Sequence, residues 1–357
     1  MRIAVIGHGM MGERHVEALR ALGYTTSIVV GHDEGRTKAF AVKEGISRWS
    51  VNPDDVFNGN YDTVHICTPP ANHYELVRKA LEKGMHVVCE KPFVLGQEDG
   101  EELVALAAKK KVVNAIGFNT RYHQACANAR ELVSSGKMGE ILLVNGSYMQ
   151  EFHALPSFFS WRYKPESAGK FLATTEIGSH WIDLMRYLTG EKIESVSATY
   201  ANFFPDRVIK DGKQYLAGSC QGTPFHSESD NVALVTFHLE KGALANMVLS
   251  EITPGRYNYL EMTVTGTDRS FWWNSEDLNR LHVGWKNHPV EEHVFAFGDG
   301  FNDSVTNMLR DVYCDIEKGN MPEGRRYATF ADGLENVKVC EAIYKSACNN
   351  GEWESVE

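Results

Sequence analysis

The sequence has no apolar run near the roughly 18 residues that a membrane-spanning helix needs, no CxxC pair, no internal repeat and no low-complexity linker. These absences exclude a helical membrane protein, a thiolate metal site and a repeat array. Positive charge is also short, because 36 Lys and Arg stand against 47 Asp and Glu for a formal charge of -11. A chain without a basic excess is a poor nucleic-acid partner. The seven cysteines (Cys67, Cys89, Cys126, Cys220, Cys314, Cys340 and Cys348) are odd in number and scattered, so reduced structural thiols are expected. The opening MRIAVIGHGMMG holds one Arg and no apolar segment of signal-peptide length. A cytoplasmic protein acting on small polar substrates is the expectation.

What is present is the composition of a globular protein, 43% apolar and 23% charged, in a 357-residue chain too long for one ordinary core. Two domains are expected, residues 1 to 120 and 121 to 357. In the first, short β-rich runs (RIAVIG, TSIVV, DTVHIC, MHVVCE, VVNAIGF) alternate with helical segments such as MGERHVEALRAL and HYELVRKALEKG. That alternation means parallel strands with helical crossovers, an α/β doubly wound Rossmann domain. In the second, long alternating runs (ILLVNGSYMQ, IESVSATYANFF, NVALVTFHLE, GALANMVLSEIT, YLEMTVTG) indicate an α+β domain built on a large, mostly antiparallel open sheet. One helix, EIGSHWIDLMRYLTG, interrupts the strands, and two C-terminal helices return to pack on the first domain. Residues 206 to 230 carry no clear period and read as a lid, a substrate loop or part of an interface.

Gly7, Gly9 and Gly12 form GxGxxG between the first strand and the first helix, with Met10 and Met11 before the third glycine. The first glycine permits the turn, the second lets backbone approach a pyrophosphate, and the third allows close helix packing. The free N–H groups of the helix start then face the phosphate. About 20 residues on, where an acidic residue would hold the ribose hydroxyls of NAD, the chain has Gly31. Asp33 is near enough to be a displaced ribose ligand, while His32 and Arg36 suit a 2′-phosphate. The cofactor is therefore NAD(P), with a lean to NADP.

Glu90, Lys91 and Pro92 end the fifth strand, at the sheet edge where doubly wound folds bind ligands. These residues, with AVIGHGMMGERH, HICTPPANHYELVRKALEKGMHVVCEKP, WRYKPESAGKF and TEIGSHWIDLMRYLTG, resemble the glucose-fructose oxidoreductase, inositol dehydrogenase and MocA family over nearly the whole chain. The resemblance implies that Lys91 is the catalytic residue beside the nicotinamide, flanked by Glu90. Hydride leaves a carbinol carbon only as its hydroxyl loses a proton, so a base must reach that oxygen. Burial and a cationic ring favour a neutral amine, whereas a close carboxylate opposes it. Thr68, Pro69 and His73 match the segment that meets the nicotinamide ribose, and Asn119 and Arg121 match the segment lining the cleft.

In the second domain Glu176 and His180 lie four apart and share a helix face. Relatives carry Asp where this chain has Glu176; His180 is expected to relay the proton or hold a substrate hydroxyl, with Glu176 orienting it or binding sugar. The resemblance places Trp161 and Arg162 at the cofactor and His153 where some cyclitol enzymes bind substrate, with Tyr163 beside them. No metal is called for. The implied activity is an NAD(P)-dependent oxidoreductase of a secondary hydroxyl on a sugar, cyclitol or glycoside, more sharply C3 of a glucose-type ring. A glycosidase using bound NAD as a redox catalyst and a non-catalytic sugar or dinucleotide sensor are the alternatives. A homo-oligomer, dimer or tetramer, is expected through the open sheet.

Overall fold

The computed structural model describes residues 1–296 and 300–357. The chain forms two compact units, Met1–Tyr122 with Asp299–Val337, and His123–Gly298 with Lys338–Glu357. Among the described residues no helix is long and apolar enough to cross a membrane.

In the first unit, strands β1 (Ile3–Ile6), β2 (Thr26–Val30), β3 (Trp49–Ser50), β4 (Thr63–Ile66), β5 (His86–Cys89) and β6 (Asn114–Ile116) pair in the order 3-2-1-4-5-6. All pairs are parallel. Helices α1 (Met10–Ala21), α2 (Glu34–Glu44), α3 (Asp54–Phe57), α4 (His73–Glu82) and α5 (Gln97–Lys110) lie between strands. The strands are apolar along their length because both sheet faces are covered; β1 and β4 are buried at every residue. The strand order reverses between β1 and β4, so the loops after these strands flank a crevice at the sheet's carboxyl edge. The C-terminal segment completes this unit. Val305, Met308, Leu309, Val312 and Tyr313 of α9 (Phe301–Lys318) share a core with Val16 and Leu19 of α1.

The second unit is built on nine strands: β7 (Ile141–Met149), β9 (Ile193–Ala201), β13 (Val232–Leu239), β14 (Leu244–Ser250), β15 (Tyr259–Gly266), β16 (Ser270–Asn274), β17 (Arg280–Gly284), β18 (Glu291–Val294) and β19 (Glu354–Ser355). Their order is 18-17-16-15-7-14-13-9-19, and the β7–β14 pair is parallel in an otherwise antiparallel sheet. One face is covered by α6 (Gln124–Ser134), α8 (Ser179–Thr189) and the second half of α10 (Phe330–Cys348), around Trp181, Phe237 and Phe271. The period-2 pattern of β13 (VALVTFHL) sends Ala233, Val235, Phe237 and Leu239 into that core and leaves Leu234, Thr236 and His238 exposed.

Residues 206 to 230 hold regular structure that the sequence pattern hides. Strands β10 (Asp206–Lys210), β11 (Lys213–Leu216) and β12 (Thr223–His226) form a small antiparallel sheet with β8 (Ser157–Phe158), next to the short helix α7 (Pro165–Ala168). Buried Arg207 replaces an apolar anchor there, its Nε donating to Phe204 O and its Nη1 to Gln214 Oε1. The helix expected from EIGSHW begins with one π-helical turn, Thr174–Gly178, before α8. Such turns are frequent at functional sites.

Candidate active site

The turn after β1 is dictated by glycine. Gly7 has φ +104°, and a Cβ on it would meet the Cys67 carbonyl oxygen at 2.3 Å; a Cβ on Gly12 would meet the Gly7 oxygen at 2.1 Å. Gly9 is the N-cap of α1, and a Cβ there would find no atom within 4 Å. Met10 is exposed and Met11 half-buried in the first turn. Two buried polar atoms nearby, His8 Nε2 and Thr68 Oγ1, have no hydrogen-bond partner among the described residues. Bare backbone at a helix start, with orphaned polar groups beside it, fits a dinucleotide. Pro69 directly follows Thr68 and caps the 3-10 turn before α4.

The adenosine end shows why Gly31 stands where a carboxylate is common. A Cβ there would lie 2.1 Å from His8 Cδ2 and 2.3 Å from Thr37 Oγ1. His8, the residue between the first two glycines, takes the space and stacks on His32 with ring centroids 5.9 Å apart. His8 carries no signal in the sequence beyond lying between the first two glycines; the structure shows it opposite the missing side chain of Gly31. Asp33 is the N-cap of α2, its Oδ1 accepting from Arg36 N at 2.8 Å. The Asp33 carboxylate is thus partly committed to the helix, while the side chains of His32 and Arg36 are exposed.

At the end of β5 the Lys91–Pro92 peptide is cis and Lys91 is half-buried. Glu90 is buried; its Oε1 lies 3.0 Å from His15 Nε2, and its Oε2 accepts from Lys91 N at 3.3 Å. His73 is a brace. Its Nδ1 lies 2.9 Å from Pro92 O and its Nε2 2.9 Å from Thr68 O, so it ties the two loops together with its ring committed to main chain. Burial is the main influence on this imidazole and lowers its pKa, so it is neutral and donates through one nitrogen at a time.

Two residues expected at the cleft are committed elsewhere. Asn119 donates to Ser304 Oγ at 2.6 Å, and buried Arg121 donates to Arg326 O and Asp332 Oδ1 at 3.3 Å each. Both hold the C-terminal segment into the first unit, because the turn Asn119–Tyr122 points their side chains back at α9 and the start of α10. In these contacts Arg121 acts as a strut within the first unit.

In the second unit the polar residues converge. Arg162 lies flat over Trp161, 4.6 Å from the ring centre, and its Nε donates to Glu176 Oε2 at 2.7 Å. Burial lowers the Arg162 pKa, but Glu176 outweighs it and the guanidinium is held more firmly charged. His180 meets Tyr148 edge-on with centroids 6.4 Å apart, and the Tyr148 hydroxyl and Gln150 Nε2 both donate to Asn258 Oδ1 at 2.7 Å. Burial pushes the Tyr148 phenol above the usable range, leaving it a neutral donor.

His153 Nδ1 lies against Oε2 of buried Glu251, its ring 4.9 Å from that of Tyr163. The pair is set by main chain: His153 N donates to Glu251 O, and Gln150 N to Ser250 O. Glu251 was not anticipated; a carboxylate closing the apolar strand GALANMVLS was the available signal. Tyr163 is buried between His153 and the Arg207 guanidinium, 4.8 Å from its ring centre, so it packs behind His153.

The π-turn that carries Glu176 is pinned by Asp230. Its Oδ1 accepts from Leu172 N at 2.7 Å, and its Oδ2 from Thr174 N and Thr174 Oγ1 at 3.0 Å each. Burial raises the Asp230 pKa to about 6 against these bonds.

Residues 1–118 match the oxidoreductase family with NAD-binding Rossmann fold, and residues 126–272 match the GFO/IDH/MocA C-terminal domain. The chain is 27% identical to levoglucosan dehydrogenase of Pseudarthrobacter phenanthrenivorans, covering 97% of this chain and 96% of that one. It is 30% identical to myo-inositol 2-dehydrogenase of Thermotoga maritima, covering 90% of each. The crystal structure of an oxidoreductase domain protein from Kribbella flavida superimposes with a TM-score of 0.91 at 26% identity, over 100% of this chain and 99% of that one. A phosphate loop on bare glycine, an EKP turn at the sheet edge and this two-part match lead to one conclusion: the chain belongs to the Gfo/Idh/MocA family of oxidoreductases.

Proposed function

We propose that the chain is an NAD(P)-dependent dehydrogenase of a secondary hydroxyl on a sugar, cyclitol or glycoside, with C3 of a glucose-type ring as the sharper assignment. The observation that carries this reading is Lys91, half-buried on a cis turn at the carboxyl end of β5. The bound nicotinamide would supply the hydride acceptor. Lys91 Nζ takes the hydroxyl proton as hydride leaves the carbinol carbon, and gives it back to a carbonyl oxygen in the reverse direction. The second unit offers His180 as proton relay, Glu176 as its orienting carboxylate, and the Arg162–Glu176 and His153–Glu251 pairs as donors and acceptors for ring hydroxyls. The names of the two dehydrogenase relatives support the substrate class. A panel of sugars, cyclitols and glycosides, read by nicotinamide absorbance with both cofactors, tests the reading. Failure of every member to reduce either cofactor would sink it, and turnover on tightly retained NAD without added cofactor would reassign the chain as a redox glycosidase.

On the adenosine side the reading favours NADP. His8 closes the Gly31 position, Asp33 is drawn into capping, and Arg36 with His32 remains exposed for a 2′-phosphate. Arg36→Ala is expected to weaken NADPH about tenfold and NADH less than about twofold, as loss of one charge-assisted contact implies. Titrating protein fluorescence with each cofactor measures this, and an equal loss for both removes the phosphate contact.

The uncovered face of the large sheet is proposed as the oligomer surface. Leu244 and Leu143 are exposed opposite each other on β14 and β7, and Leu234 is exposed further along the neighbouring β13, opposite Val248. Apolar groups in the middle of an open sheet are suited to meeting a second copy. Replacing Leu143 and Leu244 with Arg is expected to convert a dimer or tetramer to monomer by light scattering. A wild-type monomer at micromolar concentration would remove this assignment.

A further inference from the structure

A chain of buried titratable groups runs beneath the EKP turn, and the reaction as proposed so far does not use it. His15, three residues past Gly12 in α1, has its Nε2 3.0 Å from Glu90 Oε1 and its Nδ1 2.8 Å from His65 Nδ1; His65 Nε2 is 2.8 Å from the Tyr313 hydroxyl oxygen of α9. His15, His65 and Tyr313 are fully buried. Two imidazoles that meet through their Nδ1 atoms must share one proton, so one ring donates and the other accepts. Which ring donates follows from the groups around them. Burial works to lower the His15 pKa, but Cys67 and Glu90 outweigh it and raise it to about 10. Burial pushes the Cys67 thiol up, so the contact that bears on His15 near neutral pH is the one with Glu90 Oε1. Burial and then His15 lower the His65 pKa far below the usual range. A carboxylate oxygen only accepts, so His15 donates Nε2–H to Glu90; with Nδ1–H given to neutral His65, which in turn donates Nε2–H to Tyr313, His15 is the charged ring of the pair.

The Glu90 carboxylate is held from more than one side, with His15 behind it. Its second oxygen accepts from Lys91 N, and its other side is filled by Gly117, where a Cβ would meet Glu90 Oε1 at 2.4 Å. We propose that His15 is a positioning residue of the reaction: its imidazolium anchors and neutralises Glu90 from behind, so that the carboxylate adjoining Lys91 neither binds the lysine as an ammonium nor lets its turn move. This rests on the reading of Lys91 as the base. It gives the helix of the phosphate loop a second task, fixing the electrostatics of the catalytic turn.

The test joins spectroscopy to kinetics. Ring nitrogen NMR of the cofactor-free protein is expected to show His15 doubly protonated from pH 6 to 9, and that signature is expected to vanish in Glu90→Gln. In His15→Gln the uncompensated carboxylate turns to Lys91, so the acid limb of kcat/KM for alcohol oxidation is expected to move up by about one pH unit, with NADH affinity unchanged. The double variant His15→Gln/Glu90→Gln, with no buried charge, is expected to return the limb toward wild type. A neutral His15 at pH 7 in the wild-type spectrum overturns the proposal even if no variant folds. An unmoved limb in His15→Gln overturns it from the kinetic side, as does a double variant shifted as far as the single one. Lys91→Ala run alongside separates the two readings: an active Lys91→Ala removes the base, whereas an inactive one with an unmoved His15→Gln limb removes only the role of His15.

Discussion

Lys91→Ala is expected to lower kcat by a factor on the order of 10² to 10⁴ while leaving NADH affinity within about threefold, because a positioned acid–base group contributes that much to proton transfer. The separation follows from where binding and chemistry reside. The phosphate loop depends on Gly7, Gly9 and Gly12 and on the start of α1, none of which is altered by truncating a side chain at the end of β5. The turn itself is held by main chain, with Glu90 N donating to Ile66 O and Gly117 N to Cys89 O, and by His73 against Pro92. Lys91→Arg is expected to be as inactive as the alanine variant, since a guanidinium does not give up its proton in this pH range. Added methylamine is expected to restore part of the alanine variant's rate. Initial rates and fluorescence titration decide the matter, and a wild-type rate for Lys91→Ala on any active substrate would end Lys91's role as the base.

Asp230→Ala is expected to be the most damaging substitution in the second unit. It strands the Leu172 and Thr174 amides and leaves the Thr174 hydroxyl only Tyr200 as partner, and each buried donor left unsatisfied costs about 1–3 kcal/mol. A loss of about 3 kcal/mol or more lowers Tm by roughly 6 °C or more in a unit of this size. Activity is expected to fall further than stability, since the π-turn bearing Glu176 starts at Thr174. The pH dependence carries a distinct sign. The folded-state pKa of Asp230, about 6, lies above the ordinary aspartate value of 3.8, so the folded protein binds the proton more tightly than the unfolded chain. The contribution of this group is largest at low pH and is lost as pH rises through that window. Asp230→Asn removes the titration. The Tm of Asp230→Asn relative to wild type should therefore climb between about pH 4 and 6.5, and a constant difference across that range would show that the carboxylate does not titrate there.

The parts legible in the sequence were those written in contiguous residues. GxGxxG, the apolar strands that stop at Glu90-Lys91-Pro92, and the alternation of β13 each declare their geometry within about a dozen positions. The site contacts that escaped notice are set by distance in sequence. Asp230 reaches Leu172 across 58 residues, and Glu251 finds His153 because two strand ends run side by side. His8 matters because β2 ends beside the first loop at Gly31. Residues 206 to 230 lacked a period because β10 buries the neighbours Arg207 and Val208 together, so alternation is broken by a charged residue serving as core. Arg121 and Tyr163 show that residue types common in sugar sites also make internal contacts, Arg121 with Arg326 and Asp332 and Tyr163 with His153 and Arg207.

The first unit is discontinuous, and that shapes how the protein can be made. Val305, Met308, Leu309, Val312 and Tyr313 complete the core of α1 and β1, yet they leave the ribosome after eight of the nine strands of the large sheet. At 5–20 residues per second, the nascent Rossmann half waits on the order of ten seconds with that apolar surface uncovered. Vectorial synthesis therefore cannot finish the nucleotide-binding half first. Folding in the cell must hold it open, shielded by chaperones or by its own partial collapse, until its last helices arrive.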